Sequence, residues 1–450
     1  MRKIERRAIM CLLLAFVLLG GLCYFIYEDW QEGNKWAIYE GNRDVFAEGD
    51  LAKGSLYDVN GLLLMKNTSD GMKFNDDYNI RCALMHLTGD KDNNIATGAN
   101  RTFLDKMIGY DFINGIYTLN NEGESVTLSL NSQVCATAYQ ALSGRKGTVG
   151  IYNYKTGQIV CMVSSPTFDP ADPPSDPPDG AYINRFTSAS FAPGSTFKLV
   201  TAAAAIENLD NAYTFTHDCV GSVDYGHNDK VTDVSAHGTV DLEEALEVSC
   251  NCYFGRMAEQ LGGNLIEKYV KKTMLDQSLE IDGIETKAGS FDYPESGVNL
   301  AWTGIGQYHD MVNPCSMMVY MGAIANEGTA VLPTILSPTN IVDKKIKEVK
   351  TAATKTEDMI EPSTASSLKS MMRNNVVSHY GGEGNFPGLA LCAKTGTAEV
   401  GGGNAPNSWF VGFLDDEEHP YAFAVLVENG GYGLDAAGSV ANRVLQDLVD

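Results

Sequence analysis

Pro193-Gly194-Ser195-Thr196-Phe197-Lys198 sets a hydroxyl and an amine three residues apart, at the predicted start of a helix. One helical turn brings positions i and i+3 to the same face, so Lys198 is placed to take the Ser195 proton. A serine with its own base is a nucleophile, and that points to acyl transfer. The same spacing recurs at Ser143/Lys146 and Ser366/Lys369. Ser143 lies in Ser-Gly-Arg-Lys-Gly, a turn composition unsuited to a rigid pair. Ser366 lies among small polar residues without a Pro-Gly lead-in. Only Ser195 precedes a run, Leu199 to Ile206, that is apolar almost all round and so predicts a buried helix with the reactive pair at its exposed end. Serine at such a position is also an ordinary helix cap. The partners downstream favour the nucleophile.

Ser249-Cys250-Asn251 offers a second hydroxyl and an amide after a predicted helix, Leu242 to Val248. A tight connection there points Ser249 and Asn251 the same way. Lys394-Thr395-Gly396-Thr397 follows Leu389 to Ala393, a predicted buried strand. Strand parity puts Thr395 and Thr397 on one face, and the stem of Lys394 must bend to join them. Gly396 carries no side chain, which would let a bound peptide approach closely. Ser129-Leu130-Asn131 and Lys155-Thr156-Gly157 repeat fragments of this pattern, the latter at a predicted hairpin turn. Neither has the order of nucleophile pair, Ser-x-Asn, then Lys-Thr-Gly-Thr.

That ordered triple resembles the signature of penicillin-binding proteins and serine β-lactamases. The resemblance extends to Ser165-Pro166-Thr167-Phe168-Asp169-Pro170, Asn184-Arg185, His237-Gly238, Gly306-Gln307, Ala325-Asn326-Glu327-Gly328 and Trp409 to Phe413. Upstream, Lys53 to Gly61 resembles the opening motif of the pedestal of class B penicillin-binding proteins, here of the short penicillin-binding protein A type. Three positions depart from the family pattern: Tyr308 after Gly306-Gln307, Asn407 before Trp409-Phe410, and Lys53 for a more usual arginine.

The resemblance implies an α+β fold: helices on an antiparallel sheet, after a small mixed pedestal domain and one N-terminal transmembrane helix. It implies a serine-type peptidoglycan D,D-transpeptidase that cross-links stem peptides ending in D-Ala-D-Ala and is acylated by β-lactams. Carried onto this chain, the catalytic residues are Ser195, Lys198, Ser249 and Lys394. The substrate-binding residues are Asn251, Thr395, Gly396 and Thr397, with the oxyanion held by the Ser195 and Thr397 backbone N–H groups. A lysine ordinarily titrates near 10.4, so Lys198 needs burial and a like charge to act as a base. The expectation is a neutral Lys198, with Lys394 carrying the charge. No cofactor and no metal ligand are expected. The space before Lys146 is too small for a glycosyltransferase, so the implied partner is a separate membrane polymerase of the SEDS family. The alternatives are a D,D-carboxypeptidase or β-lactamase-type hydrolase, or a non-catalytic β-lactam sensor or wall scaffold. The first lacks a well-placed deacylating glutamate, and the second lacks further membrane spans or a damaged triple.

Length and charge set bounds of their own. A chain of 450 residues predicts two domains, and a net charge of −24 leaves no basic footprint for nucleic acid. Arg2, Lys3, Arg6 and Arg7 precede an apolar run from Ala8 to Tyr27, long enough to span a bilayer, with Tyr24, Tyr27 and Trp30 at the outer interface. The positive flank predicts a cytoplasmic N-terminus and an extracytoplasmic body, and the lack of a small-x-small site argues against cleavage. The expected organisation is residues 1–7 cytoplasmic, 8–27 anchor, 28–145 pedestal and 146–450 transpeptidase domain. Strands are expected at 126–130 and 421–427, and helices at 131–142 and 436–449. The proline-rich stretch 170–178 reads as a solvated loop or a rim of the cleft. Of the ten cysteines, most sit in apolar or helical contexts that suit buried free thiols. Cys250 and Cys252 have no second pair at zinc-site spacing.

Overall fold

The computed structural model describes residues 2–37, 54–68, 71–92, 94–95, 98–107, 110–111, 116–117, 125–342, 345–348 and 353–450. Lys53 and the side chain of Trp30 lie outside the described residues. The N-terminal apolar run forms one continuous helix, α1 (Arg2–Ala37). Its segment Lys3–Glu28 is unburied, and it is long and apolar enough to cross a membrane.

A small mixed layer follows. Strands β1 (Ser55–Tyr57), β2 (Leu63–Thr68) and β3 (Gly71–Phe74) join helix α2 (Tyr78–Thr88) and strand β4 (Ser125–Thr127). The sheet order is β3-β2-β1-β4, with β1 and β4 parallel and the other pairs antiparallel. Asp77 caps α2 by accepting from the Asn79 and Ile80 N–H groups. Arg81 on α2 forms a two-pronged pair with Asp169, at 2.8 and 2.6 Å. Thr167 Oγ1 donates to Cys82 O. The proline-rich stretch thus leaves from a segment pinned to α2 and runs exposed over the surface, as a loop.

Helix α3 (Ser132–Leu142) starts where Asn131 accepts from the Gln133 and Val134 N–H groups, one residue from its predicted start. The hairpin β5 (Gly147–Asn153) and β6 (Ile159–Ser165) turns at Lys155-Thr156-Gly157, as its composition predicts. After a 3₁₀ turn at Gly194–Phe197 comes α4 (Lys198–Asn208). Its residues Lys198 to Ala205 are all buried, as the all-round apolar pattern requires. Strands β7 (His217–Cys219) and β8 (Gly238–Val240) pair antiparallel. They lead to α5 (Leu242–Glu247) and α6 (Asn251–Leu261). Helix α7 (Pro314–Ala325), capped by Asn313, runs through the core with Met317 to Met321 buried. Helix α8 (Pro362–Asn374) precedes β9 (Leu391–Ala398), β10 (Asn407–Leu414) and β11 (Tyr421–Val427), and α9 (Ser439–Val449) closes the chain.

The main sheet has five antiparallel strands in the order β9-β10-β11-β5-β6. β10, β11 and β5 are buried almost throughout because helices cover both faces. Helices α3 and α9 pack together, α3 also against β6; α7 packs against β10 and β11. The fold is therefore α+β, as expected. Two differences are local. The last helix begins at Ser439 after a π-type turn at Leu434–Gly438. The strand expected at 126–130 ends at Thr127, after which Leu128 bridges Leu336 and Ser129 N–H donates to Ile335 O.

Candidate active site

Ser195 sits in the 3₁₀ turn rather than in the helix proper. Such a turn has three residues per revolution, so positions i and i+3 eclipse and Ser195 still stands above Lys198. Three tight approaches fix the turn. Gly194 has φ +52 and donates its N–H to Gly306 O at 2.8 Å. A Cβ at Gly194 would meet Thr397 O at 2.6 Å, and one at Gly306, φ +78, would meet Gly194 O at 2.2 Å. Only glycine takes that backbone at that separation. The third hold is Trp409 on β10, whose indole Nε1–H donates to Ala192 O at 2.9 Å. Gly396 is set opposite Trp409 in the β9–β10 register. A side chain on Gly396 would strike Thr196 Cγ2 at 2.8 Å and Pro193 O at 2.9 Å. The bare Gly396 therefore seats the nucleophile turn on the strand. That packing role stands beside the expectation that its missing side chain lets a bound peptide approach.

Lys198 is fully buried at the head of α4. Its Nζ donates to Ser249 O at 2.6 Å and to Asn251 Oδ1 at 2.7 Å, and lies 3.2 Å from Ser249 Oγ. Lys394 Nζ reaches the same Ser249 Oγ at 3.0 Å and the Thr395 carbonyl at 3.2 Å. Ser249 thus stands between the two amines. It does so with φ +58, a left-handed backbone that turns its carbonyl and its hydroxyl toward Lys198 together. Ser249 and Asn251 point the same way, as the sequence predicts. The buried stem of Lys394 leaves β9 on the opposite parity to Thr395 and Thr397, and its head crosses to the site. Among the described residues no hydrogen bond joins Ser195 Oγ to Lys198; the amine rests on the Ser-x-Asn segment instead.

Burial lowers the Lys198 pKa to about 8, against which the charge of Asp233 pulls upward. Lys394 falls well below its ordinary value, through burial first and the Lys198 charge second. Two buried amines on one hydroxyl do not both hold a charge. Burial thus draws both amines toward the neutral base, while Lys198 keeps three polar neighbours and the Phe254 ring at 5.7 Å. The lowering of Lys198 by burial runs in the direction the sequence reading expects. The group that opposes this lowering is Asp233, a residue the sequence did not single out. Its Oδ2 accepts from the Asn251 N–H at 2.7 Å and so caps α6 while biasing Lys198.

β9 is an edge strand, and its odd-numbered residues point their backbone groups away from β10. Side chains following α8 and within it cover that edge in order. Arg373 donates to Leu391 O, Asn375 to Ala393 O, and Tyr380 OH accepts the Thr395 N–H at 3.1 Å. Thr397 is the next residue of that parity, and its N–H has no side-chain partner among the described residues. Tyr380 OH also lies 3.1 Å from Thr395 Oγ1. Sequence inspection missed Tyr380, since no spacing links it to the strand. Tyr308 is partly exposed, stacked on His309 with φ +69. Asn407 is nearly buried, and its Oδ1 accepts from Asn429 N–H. A further group lies behind Ser-x-Asn: Cys219, Asp233, His237 and Cys250 have ligand-type atoms within 4.8 Å of one another. The fold gathers these residues although their spacing in the chain gives no zinc pattern.

Residues 147–449 match the penicillin-binding protein transpeptidase domain. The chain belongs to this family. Among curated relatives, the peptidoglycan D,D-transpeptidase PbpA of Mycobacterium tuberculosis is 26% identical over 376 residues, covering 76% of this chain and 74% of that one. Stage V sporulation protein D of Bacillus subtilis is 27% identical over 358 residues, covering 74% of this chain and 54% of its own length. The solved structure of penicillin-binding protein A from M. tuberculosis as an imipenem acyl-enzyme superposes with a TM-score of 0.77 at 22% identity, covering 90% of this chain and all of that one. The D,D-transpeptidase domain from Eggerthella lenta gives 0.75 at 24% identity, covering 88% and 98%. In this penicillin-binding protein Lys198 and Lys394 meet at Ser249, Asn251 holds Lys198, and the turn carrying Ser195 packs against the strand from Lys394 to Thr397.

Proposed function

We propose that this chain is a membrane-anchored peptidoglycan D,D-transpeptidase that works through a Ser195 acyl-enzyme. The observation that carries the reading is the convergence of Lys198 and Lys394 on Ser249 Oγ, beside a nucleophile turn locked by glycine contacts. Ser195 Oγ attacks the penultimate carbonyl of a stem peptide ending in D-Ala-D-Ala. Its proton goes to Lys198 in the free-base form that burial favours. Ser249 then relays a proton to the departing D-alanine amine, and a neighbouring stem amine resolves the ester by the reverse route. The Ser195 and Thr397 N–H groups hold the oxyanion, where loss of one donor costs about a hundredfold to a thousandfold in rate. Asn251 orients the donor amide, and Thr395 and Thr397 take its terminal carboxylate with Lys394 nearby.

The anchor is residues 8–27, with 1–7 on the cytoplasmic side and the body outside. Residues 28–145 act as the pedestal and 146–450 as the catalytic domain. β-Lactams acylate Ser195 as mimics of the donor, and a SEDS-family polymerase supplies the glycan strands. The test supplies a synthetic donor ending in D-Ala-D-Ala to the detergent-solubilised protein, with and without an acceptor amine. Cross-linked product that grows with acceptor supports the reading. D-Alanine release that ignores acceptor makes the protein a carboxypeptidase, and no release from donor or acylation by penicillin makes it a scaffold.

A further inference from the structure

The hairpin formed by β7 and β8 is tied to the start of α6 by four side chains that take no part in the acyl-transfer steps. Cys219 Sγ lies 3.6 Å from Asp233 Oδ2 and 3.7 Å from His237 Nδ1, and Asp233 Oδ2 lies 3.4 Å from His237 Nδ1. Cys250 Sγ completes a set whose members all fall within 4.8 Å. A tetrahedral zinc ion with bonds of about 2.3 Å to sulfur and about 2.0–2.2 Å to nitrogen and oxygen requires S–N and S–O edges of about 3.6 Å and an N–O edge of about 3.4 Å. The three measured edges meet that geometry with side chains in place. The surroundings prepare each ligand. His237 Nε2 lies 3.1 Å from Ser235 Oγ, so its proton can sit there and leave the Nδ1 lone pair for a metal. Cys250 Sγ accepts the Tyr253 N–H at 3.4 Å at the start of α6, which fixes its side chain in place. The Asp233 side chain is 1% exposed and that of His237 12%, so the group is shielded from water.

We propose that Cys219, Asp233, His237 and Cys250 bind one Zn²⁺ in a closed structural site that clamps the Ser249-Cys250-Asn251 turn. Two thiolates select a soft or borderline ion over Ca²⁺ or Mg²⁺, and four protein ligands leave no open position for catalysis. On binding, both thiols lose their protons to solvent, so the ion brings two positive charges while two leave. Cys250 separates Ser249 from Asn251, and Asp233 also holds the Asn251 N–H. The metal therefore fixes the residues on which Lys198 rests without touching substrate.

The full chain, purified in detergent without chelator, is assayed for metal and reconstituted with Co²⁺ as a spectroscopic probe. The expected result is about one zinc per chain, and on Co²⁺ loading the intense visible bands of tetrahedral cobalt with a sulfur-to-cobalt charge-transfer band. Zinc should also shield Cys219 and Cys250 from alkylation, mapped by mass. Cys219→Ser and His237→Ala should each lower zinc affinity by at least about tenfold, while Cys392→Ser should not. The wild-type measurements stand even if a variant fails to fold. A wild-type chain that retains no zinc after loading and desalting overturns the proposal. So does octahedral cobalt, or a Cys219–Cys250 disulfide in the native protein.

Discussion

At the scale of single residues, the site turns on where one proton sits. Lys198 is lowered to about 8 from 10.5 by burial, so it is a free base above that pH and an ammonium below. The acylation rate by penicillin is expected to rise about tenfold per pH unit below pH 8 and to level off above it. A rate flat from pH 6 to 9 would contradict a Lys198 base that loses its proton near pH 8. The same shift carries a stability sign. The unfolded chain keeps this proton up to about 10.4 while the folded one releases it near 8, so the Lys198 contribution rises with pH across that window. Tyr380 offers a second test. Tyr380→Phe removes the acceptor of the Thr395 N–H, a loss expected to cost about 1–3 kcal/mol of stability by urea titration. It should also slow acylation, because Thr395 and Thr397 share the freed strand.

At the scale of elements, the nucleophile turn is held by close backbone approach rather than by a hydrogen-bond network of its own. Gly306→Ala would place a methyl group 2.2 Å from Gly194 O at φ +78, and Gly396→Ala would push the turn off β9. Each is expected to lower the acylation rate by about a hundredfold or more, since small misplacements at a reacting centre cost that much. Gly384→Ala, with nothing within 4 Å, should leave acylation unchanged. These contacts also mark how far the sequence could be read. The buried α4, the hairpin at Lys155-Thr156-Gly157, β11 and the parity of Thr395 against Lys394 were all legible, because apolar period and turn composition are local signals. The meeting of Ser195, Ser249 and Lys394 was legible only through the order of three motifs. Asp233, Tyr380 and the Cys219–His237 group were not legible, since they reach the site through folding of distant segments and carry no spacing signal. The packing role of Gly396 was not legible for the same reason: Thr196 and Pro193, which a side chain there would strike, lie on a distant segment of the chain.

At the scale of the whole molecule, the small N-terminal layer and the catalytic body meet through the β4 segment and through Arg81 with Asp169. Asp169→Asn is expected to speed hydrogen exchange in α2 while leaving the acylation rate within about twofold, because the partly exposed pair contributes about 1 kcal/mol or less. Arg81 holds the Asp169 carboxyl below its usual value. That contribution is therefore complete above about pH 4 and is lost as the pH falls through the folded value. Among the described residues one membrane-length apolar helix precedes this body, and the five-stranded sheet carries Thr397 to the same place as the 3₁₀ turn. The central claim is that this whole arrangement exists to make one hydroxyl nucleophilic. Intact-mass analysis of the purified chain after incubation with benzylpenicillin tests it directly. The account expects a single adduct of the intact drug, mapped to the peptide containing Ser195 and absent from Ser195→Ala. No mass gain by the folded wild-type chain, or an adduct on any other residue, would contradict it.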